Sequence, residues 1–288
     1  MTRTSVARYA AFTACTAIWG STFLVIRIGN ESVPPLWAAA LRLALATVIL
    51  GLIARATGQR LPRGAAFRAA FWYGFLVFGV NFPLLYWGEK TVPSGITAIL
   101  YATIPLSTAL FARALDLERL DALKLGGALI ALAGTGAIFY GELESPIGAI
   151  PLIAIVVGTL SASLGGVLLK RGPTQSAVVS NAVGAAVGAI VCFALSLLFR
   201  EPHSIPRTTD EWFPVLYLTL AGSVGAFVLY AWLLKHWSAT RASYISVIVP
   251  IVAVALGALV RDEHLTRSSF IGSALIMAGV ISAFQSDQ

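Results

Sequence analysis

The sequence predicts an all-α integral membrane protein with ten transmembrane helices, built as two inverted five-helix repeats. Three observations carry this expectation. Of the 288 residues, 58% are hydrophobic and only 11% charged, whereas a soluble domain carries about a quarter charged residues. Apolar windows of about 20 residues, the length that a bilayer core requires, recur along the whole chain. The stretch "IPLSTALFARALDLERL" from Ile104 returns in shape as "VPIVAVALGALVRDEHL" from Val249, 145 residues later.

The windows place spans at 9–28, 35–54, 66–88, 93–113, 121–140, 147–169, 175–199, 212–234, 238–260 and 266–285. The first follows basic residues in the manner of a signal peptide. Its apolar run continues to Ile28, long enough to cross, so it reads as a retained helix. The loops "NESVPP", "TGQRLPRG" and "REPHSIPRTTDEW" are short and rich in breakers and charge. The side holding the N-terminus and the even-numbered loops collects 13 Lys and Arg against 6 on the other, with Arg42 inside a span. Basic residues stay in the cytoplasm, so both termini are expected there, in a bacterial-type inner membrane.

At the offset of 145, Phe82 falls on Phe227, Trp87 on Trp232, Lys90 on Lys235, Pro105 on Pro250 and Glu118 on Glu263; Gly127 and Gly134 fall on Gly272 and Gly279. Each copy, 1–145 and 146–288, holds five spans. Five is odd, so the second copy enters the membrane upside down. Inverted repeats of this kind let a single transport unit open to either side around a central site. The paired glycines lie seven apart on one helix face and suit close helix packing, either within the chain or in a homodimer. "GAAVG" at Gly184–Gly188 is a weaker signal of the same kind.

The motifs "AIWGSTFLVIRIG" in span one, "PPLWAAALRLALA" entering span two and "IGSALIMAGV" near the end resemble the EamA-type branch of the drug/metabolite transporter superfamily. The resemblance runs over essentially the whole chain. It implies ten helices in two inverted repeats and the movement of small metabolites, many of them outward. Among its members, the bacterial exporters of aromatic and other neutral amino acids, the YddG type, are similar in architecture.

Polar side chains at mid-membrane depth are costly, so each is a candidate for function. Trp19 lies about 15 Å along span one, too deep for an interfacial belt. Pro105 and Pro250 bend spans four and nine and free a carbonyl; Tyr101 and Ser246 stand one turn before them. Asn81 is an amide in span three that must find a partner, in the protein or on a cargo. Ser163 in span six and Tyr244 in span nine are weaker candidates. Tyr86, Trp87, Tyr230 and Trp232 lie near helix ends and read as belt residues. Arg42, the one charge within a span, reads as a structural or gating group, paired with Glu89 at the end of span three, ahead of a cargo carboxylate.

All 13 acidic residues and the three histidines, His203, His236 and His264, fall in loops or at helix ends. Proton-coupled carriers keep a titratable group inside the membrane, so uniport or exchange is expected, unless Glu89 dips inward. A cavity of Trp, Tyr, Ser and Asn suits a neutral or zwitterionic small molecule with an apolar part, an amino acid above all; an uncharged drug or a nucleoside would also fit. A non-transporting scaffold is the remaining alternative. An enzyme is disfavoured because no catalytic triad, "HExxH" motif or cysteine cluster occurs, and no cofactor or metal is expected. Cys15 and Cys192 read as small buried hydrophobes. The net charge of +7 comes without basic runs interleaved with aromatics, which disfavours nucleic acid as a partner. The expected partners are a small-molecule substrate and the lipid bilayer.

Overall fold

A computed structural model of the chain describes residues 3–92, 94–140, 148–261 and 266–285. Glu142, Glu144, Asp262, Glu263, His264 and Asp287 lie outside the described residues.

The described residues form ten helical spans and no strand. They are α1 (Arg3–Asn30), α2 (Pro35–Ala56), α3 (Gly64–Gly88), α4 in two pieces (Ser94–Tyr101 and Ile104–Ala114), α5 (Ala122–Ile138), α6 (Ala149–Arg171), α7 (Ala177–Leu198), α8 (Thr209–His236), α9 in two pieces (Ala239–Ser243 and Ile245–Arg261) and α10 (Arg267–Gln285). Nine are long and apolar enough to cross a bilayer; α5, at 17 residues, is the shorter tenth. Large apolar side chains such as Leu52, Ile190 and Phe270 face outward. In water they would be a liability; against lipid they are the expected exterior. The chain is a multi-pass membrane protein.

Packing follows the repeat. α5 lies along its equivalent α10, and α2 along its equivalent α7. α1 packs on α9 as α6 packs on α4, and α3 packs on α6 as α8 packs on α1. Rings of Tyr9 and Phe12 stand 6.5 and 5.6 Å from Phe284, so the first helix starts where the last one ends. Both ends of the described chain therefore lie at one end of the bundle.

The glycine stripes serve the fold. A Cβ on Gly127 would come within 2.4 Å of the Gly279 carbonyl oxygen, and one on Gly134 within 2.6 Å of the Gly272 oxygen. Contact this close needs hydrogen in place of a side chain. The stripes are thus spent on the α5–α10 seam within the chain, not left free for a homodimer. Gly184 and Gly188 likewise admit α3, through Gly74 and Phe78.

Helix ends are closed by acids from distant segments. The Glu201 carboxylate accepts from the N–H groups of Leu36 (3.2 Å) and Trp37 (2.8 Å) at the start of α2. Glu118 accepts from Ala239 N–H at 2.5 Å at the start of α9. Both satisfy orphan donors and place negative charge at a helix N-terminus. Asp121 caps α5 locally, and Thr208 and Glu211 form a capping box on α8.

Three departures from regular helix bear on the site. α3 and α8 each widen to a π-helical stretch, at Phe75–Val80 and Leu218–Ala226, in repeat-equivalent places that the sequence pattern did not disclose. α4 breaks at Ala102–Thr103, just ahead of Pro105, as its missing N–H requires. The break in α9 falls at Tyr244, not at Pro250, which lies inside the continuous piece Ile245–Arg261. This corrects the expectation for Pro250. The short first piece is capped by Ser238 Oγ and closed by tight bonds, Tyr244 N–H to the Arg241 carbonyl and Val247 N–H to the Tyr244 carbonyl. The turn is complete before the proline, which removes one donor while the helix runs on.

Candidate functional site

One cavity lies between the two halves, with about 840 Å³ of space counting what is continuous with the surroundings. Its walls come in repeat-equivalent pairs. Phe82 and Phe227 both line it, as do Tyr101 and Ser246, Ile104 and Val249, and Leu85 and Tyr230. Each pair is separated by 145 positions. Trp19 and Arg42 line it from the first half without such partners.

The aromatic wall has two groups of touching rings. The Trp19 ring stands 4.9 Å from Phe227 and 5.3 Å from Tyr230, centroid to centroid. Phe23 meets Tyr101 edge-on at 5.6 Å. The Trp19 Nε1–H is buried without a hydrogen-bond partner. Such a donor normally finds one, and leaving it alone costs about 1–3 kcal/mol. Tyr230 has room for its hydroxyl because Gly166 carries no side chain; a Cβ there would sit 2.9 Å from that oxygen.

The wide turn of α3 ends at Asn81. Its Oδ1 accepts from the Tyr101 hydroxyl at 2.5 Å, and its Nδ2 donates to the Val77 carbonyl at 3.4 Å. The amide thus ties α3 to the break in α4 inside the cavity wall. Ser246 also lines the cavity, with its hydroxyl donating to the Ser243 carbonyl at 2.8 Å.

The wide turn of α8 holds Arg42. Arg42 Nε donates to Ser223 Oγ at 2.8 Å and Nη1 to the Tyr86 hydroxyl at 3.1 Å. Thr219 Oγ1 donates to the Val215 carbonyl at 2.7 Å and stands 3.3 Å from the Arg42 carbonyl. The guanidinium lies over the Phe82 ring at 4.7 Å. Arg42 is only 2% exposed.

Several sequence expectations need correction. Arg42 and Glu89 form no ion pair: Tyr86 stands at the guanidinium, and both Glu89 oxygens are buried without a hydrogen-bond partner. Glu89 is therefore a buried acid, the exception on which the uniport expectation was conditioned, although it does not line the cavity. Ser163 is not at the cavity. Its hydroxyl meets Ser107 Oγ at 2.6 Å and joins α6 to α4. Tyr244 is fully buried, and its hydroxyl donates to the Lys124 carbonyl, joining α9 to α5. Tyr86 and Tyr230 are not belt residues; one holds Arg42 and the other lines the cavity. Distance to a helix end along the chain misplaced both, because α3 and α8 are 25 and 28 residues long and the faces that carry Tyr86 and Tyr230 pack on Arg42 of α2 and Trp19 of α1. Trp87 is 42% exposed, as a belt residue would be.

Sequence reasoning also missed Phe23, Ser243 and Phe227 as lining residues. For Phe227 a signal existed: it is the equivalent of Phe82, two residues beyond the α3 wide stretch. For Phe23, four residues after Trp19 and so on the same helix face, the helical period would have served.

Comparison with known proteins agrees with this architecture. The model of the EamA-like transporter family matches twice, over residues 8–140 and 149–285. The "Uncharacterized inner membrane transporter YedA" of Escherichia coli K12 is 31% identical over 276 residues, 95% of this chain and 89% of that one. The "Probable amino-acid metabolite efflux pump" of the same organism is 25% identical over 276 residues, 91% and 90% of the two chains. A solved crystal structure superposes with a TM-score of 0.81 at 22% identity, covering 98% of each chain, which shows the shared fold. With two tandem matches across ten spans, this chain belongs to the EamA-like transporter family.

Proposed function

We propose that the protein exports small neutral or zwitterionic metabolites, amino acids including aromatic ones, across the bacterial inner membrane by alternating access. One observation carries the reading: a single cavity walled by equivalent residues of both halves, with aromatic faces and a partnerless indole N–H. The halves 1–145 and 146–288 act as one unit. Rocking one against the other exchanges which end is open while the equivalent residues keep facing the same space. Trp19, Asn81, Tyr101 and Ser246 contact the cargo, and both termini are cytoplasmic by the distribution of Lys and Arg. Relatives named as amino-acid metabolite efflux pumps support the cargo class and the direction.

No acid and no histidine is among the residues lining the cavity. The proposal is therefore uniport or exchange along the cargo's own gradient. The test is counterflow of labelled phenylalanine or tryptophan into proteoliposomes, in competition with a panel of neutral amino acids, nucleosides and uncharged drugs. Amino-acid counterflow that weakens about tenfold in Trp19→Phe, which keeps the ring and loses the donor, is the expected result. Flux of nucleosides or drugs alone would replace the cargo assignment; no flux of any solute would favour a scaffold. Accumulation that tracks an imposed pH gradient would overturn the uncoupled mechanism.

A further inference from the structure

We propose that Arg42 is the anion-binding pole of the cavity, so that cargo is selected by a carboxylate and needs no ammonium group. This rests on the reading of the cavity as a cargo site and names the chemical class that it takes.

The observation is a buried cation without a counter-charge. Arg42 lines the cavity, yet among the described residues no carboxylate pairs with it within 4.0 Å. Its partners, Ser223, Tyr86 and the Phe82 ring, are all uncharged. They orient the guanidinium and leave its charge uncompensated. Nη2 makes no hydrogen bond to a described residue. It lies where α8 offers Gly222, whose Cβ would come within 2.8 Å of it. A cation held in low dielectric without an anion is expensive. An anionic ligand entering the cavity removes that cost and accepts the free N–H groups of a fork suited to carboxylates.

The remainder of the wall is complementary only to the rest of such a ligand. The rings of Trp19, Phe82, Phe227 and Tyr230 provide apolar faces. Among the lining residues no acid is placed to receive an ammonium group. With one fixed positive charge and no negative one, the cavity matches a monocarboxylate with an apolar or aromatic body. An amino acid enters on the strength of its carboxylate, and its deaminated counterpart enters equally.

The test is binding to the purified full-length protein, by calorimetry, of three probes that share one ring system: indole-3-propionate, tryptophan and tryptamine. The expected order has the two carboxylates within about tenfold of each other and tryptamine weaker by at least that factor. Arg42→Gln should weaken the carboxylates on the order of ten- to a hundredfold and tighten tryptamine, whose ammonium no longer meets a like charge. Arg42→Lys should recover part of the loss. Should Arg42→Gln fail to fold, Ser223→Ala releases the fork without removing its charge, and it should weaken the carboxylates alone by severalfold. Tryptamine binding as tightly as the carboxylates overturns the proposal. So do equal losses for all three probes, no loss for any, or no binding by any. Export of amine and carboxylate alike from vesicles would sink the anion pole and leave the exporter standing. Arg42-dependent binding without flux would do the reverse.

Discussion

Phe82 and Phe227 are 145 residues apart in sequence, and their rings stand 6.0 Å apart in the wall of one cavity. They are the same position of the two repeats, brought together because the copies run in opposite directions through the membrane. Both are nearly buried, and both also contact the Phe78 ring, at 5.2 and 4.6 Å.

That relationship makes a paired prediction. Phe82→Ala and Phe227→Ala should each cost about 3–5 kcal/mol of stability and lower amino-acid counterflow. The double variant should be less damaging than the sum, with a coupling of about 0.5–1.5 kcal/mol for adjoining rings. Thermal unfolding of the four proteins in detergent measures it. Strict additivity would mean that the rings do not meet.

The α5–α10 seam gives the second. A Cβ on Gly134 or Gly279 would sit 2.6 or 2.3 Å from a backbone carbonyl oxygen of the facing helix. Backbone cannot step aside as a side-chain tip can. Gly134→Leu should therefore force the helices apart and destabilise by more than the usual overpacking cost of about 1–3 kcal/mol. Gly136, in the same helix with nothing within 4 Å of its Cβ position, should tolerate Ala. Size-exclusion profiles of the two variants distinguish the outcomes; a monodisperse Gly134→Leu protein with an unchanged melting temperature would contradict the seam.

Much of the fold was legible because membrane helices announce themselves in two ways, by length and by the lack of charge. Nine of the ten spans lie within three residues of their expected bounds, while α1 starts at Arg3, six residues ahead of the expected 9, and the offset of 145 anticipated which residues would be structural equivalents. The site was only half legible. Trp19, Asn81, Tyr101 and Ser246 line the cavity, while Ser163 and Tyr244 bond to neighbouring helices. Depth along a span is set by counting residues, but the direction in which a side chain faces depends on neighbours that a single sequence does not place. The π-helical stretches add to this. Each shifts the helical register between Tyr73 and Asn81, or between Tyr217 and Phe227, so a face projected from one end of the helix is wrong at the other.

Glu118 supplies a third prediction. Its carboxylate accepts from Ala239 N–H at 2.5 Å and Thr240 N–H at 3.4 Å, closing the start of α9 from the segment after α4. Glu118→Ala leaves those donors open and removes negative charge from a helix N-terminus. The expected loss is about 1–2 kcal/mol. Glu118→Gln keeps an acceptor and should recover part of it. Hydrogen exchange at Ala239 and Thr240 reports the change directly; protection that survives in Glu118→Ala would show that the cap is unimportant.

Glu89, the residue that follows α3, makes stability depend on pH in the direction opposite to most carboxylates. It is 8% exposed with neither oxygen hydrogen-bonded. Burial raises its pKa from 4.5 to about 8, and the positive charge of Arg27 offsets only part of this. Tyr86 and Tyr101 face it from α3 and α4, Lys90 follows it in the chain, and Arg42 stands beyond Tyr86. Between pH 4.5 and about 8 the folded chain holds a proton at Glu89 that the unfolded chain has released. The folded state therefore binds more protons, and stability falls as pH rises through that window, levelling above it. In Glu89→Gln this dependence should vanish. Melting temperatures of the two proteins, measured from pH 5 to 8.5, should diverge steadily in favour of the variant toward the alkaline end. Parallel curves would mean that the carboxyl ionises as freely in the folded chain as in the unfolded one, and that Arg27 or solvent reaches it after all.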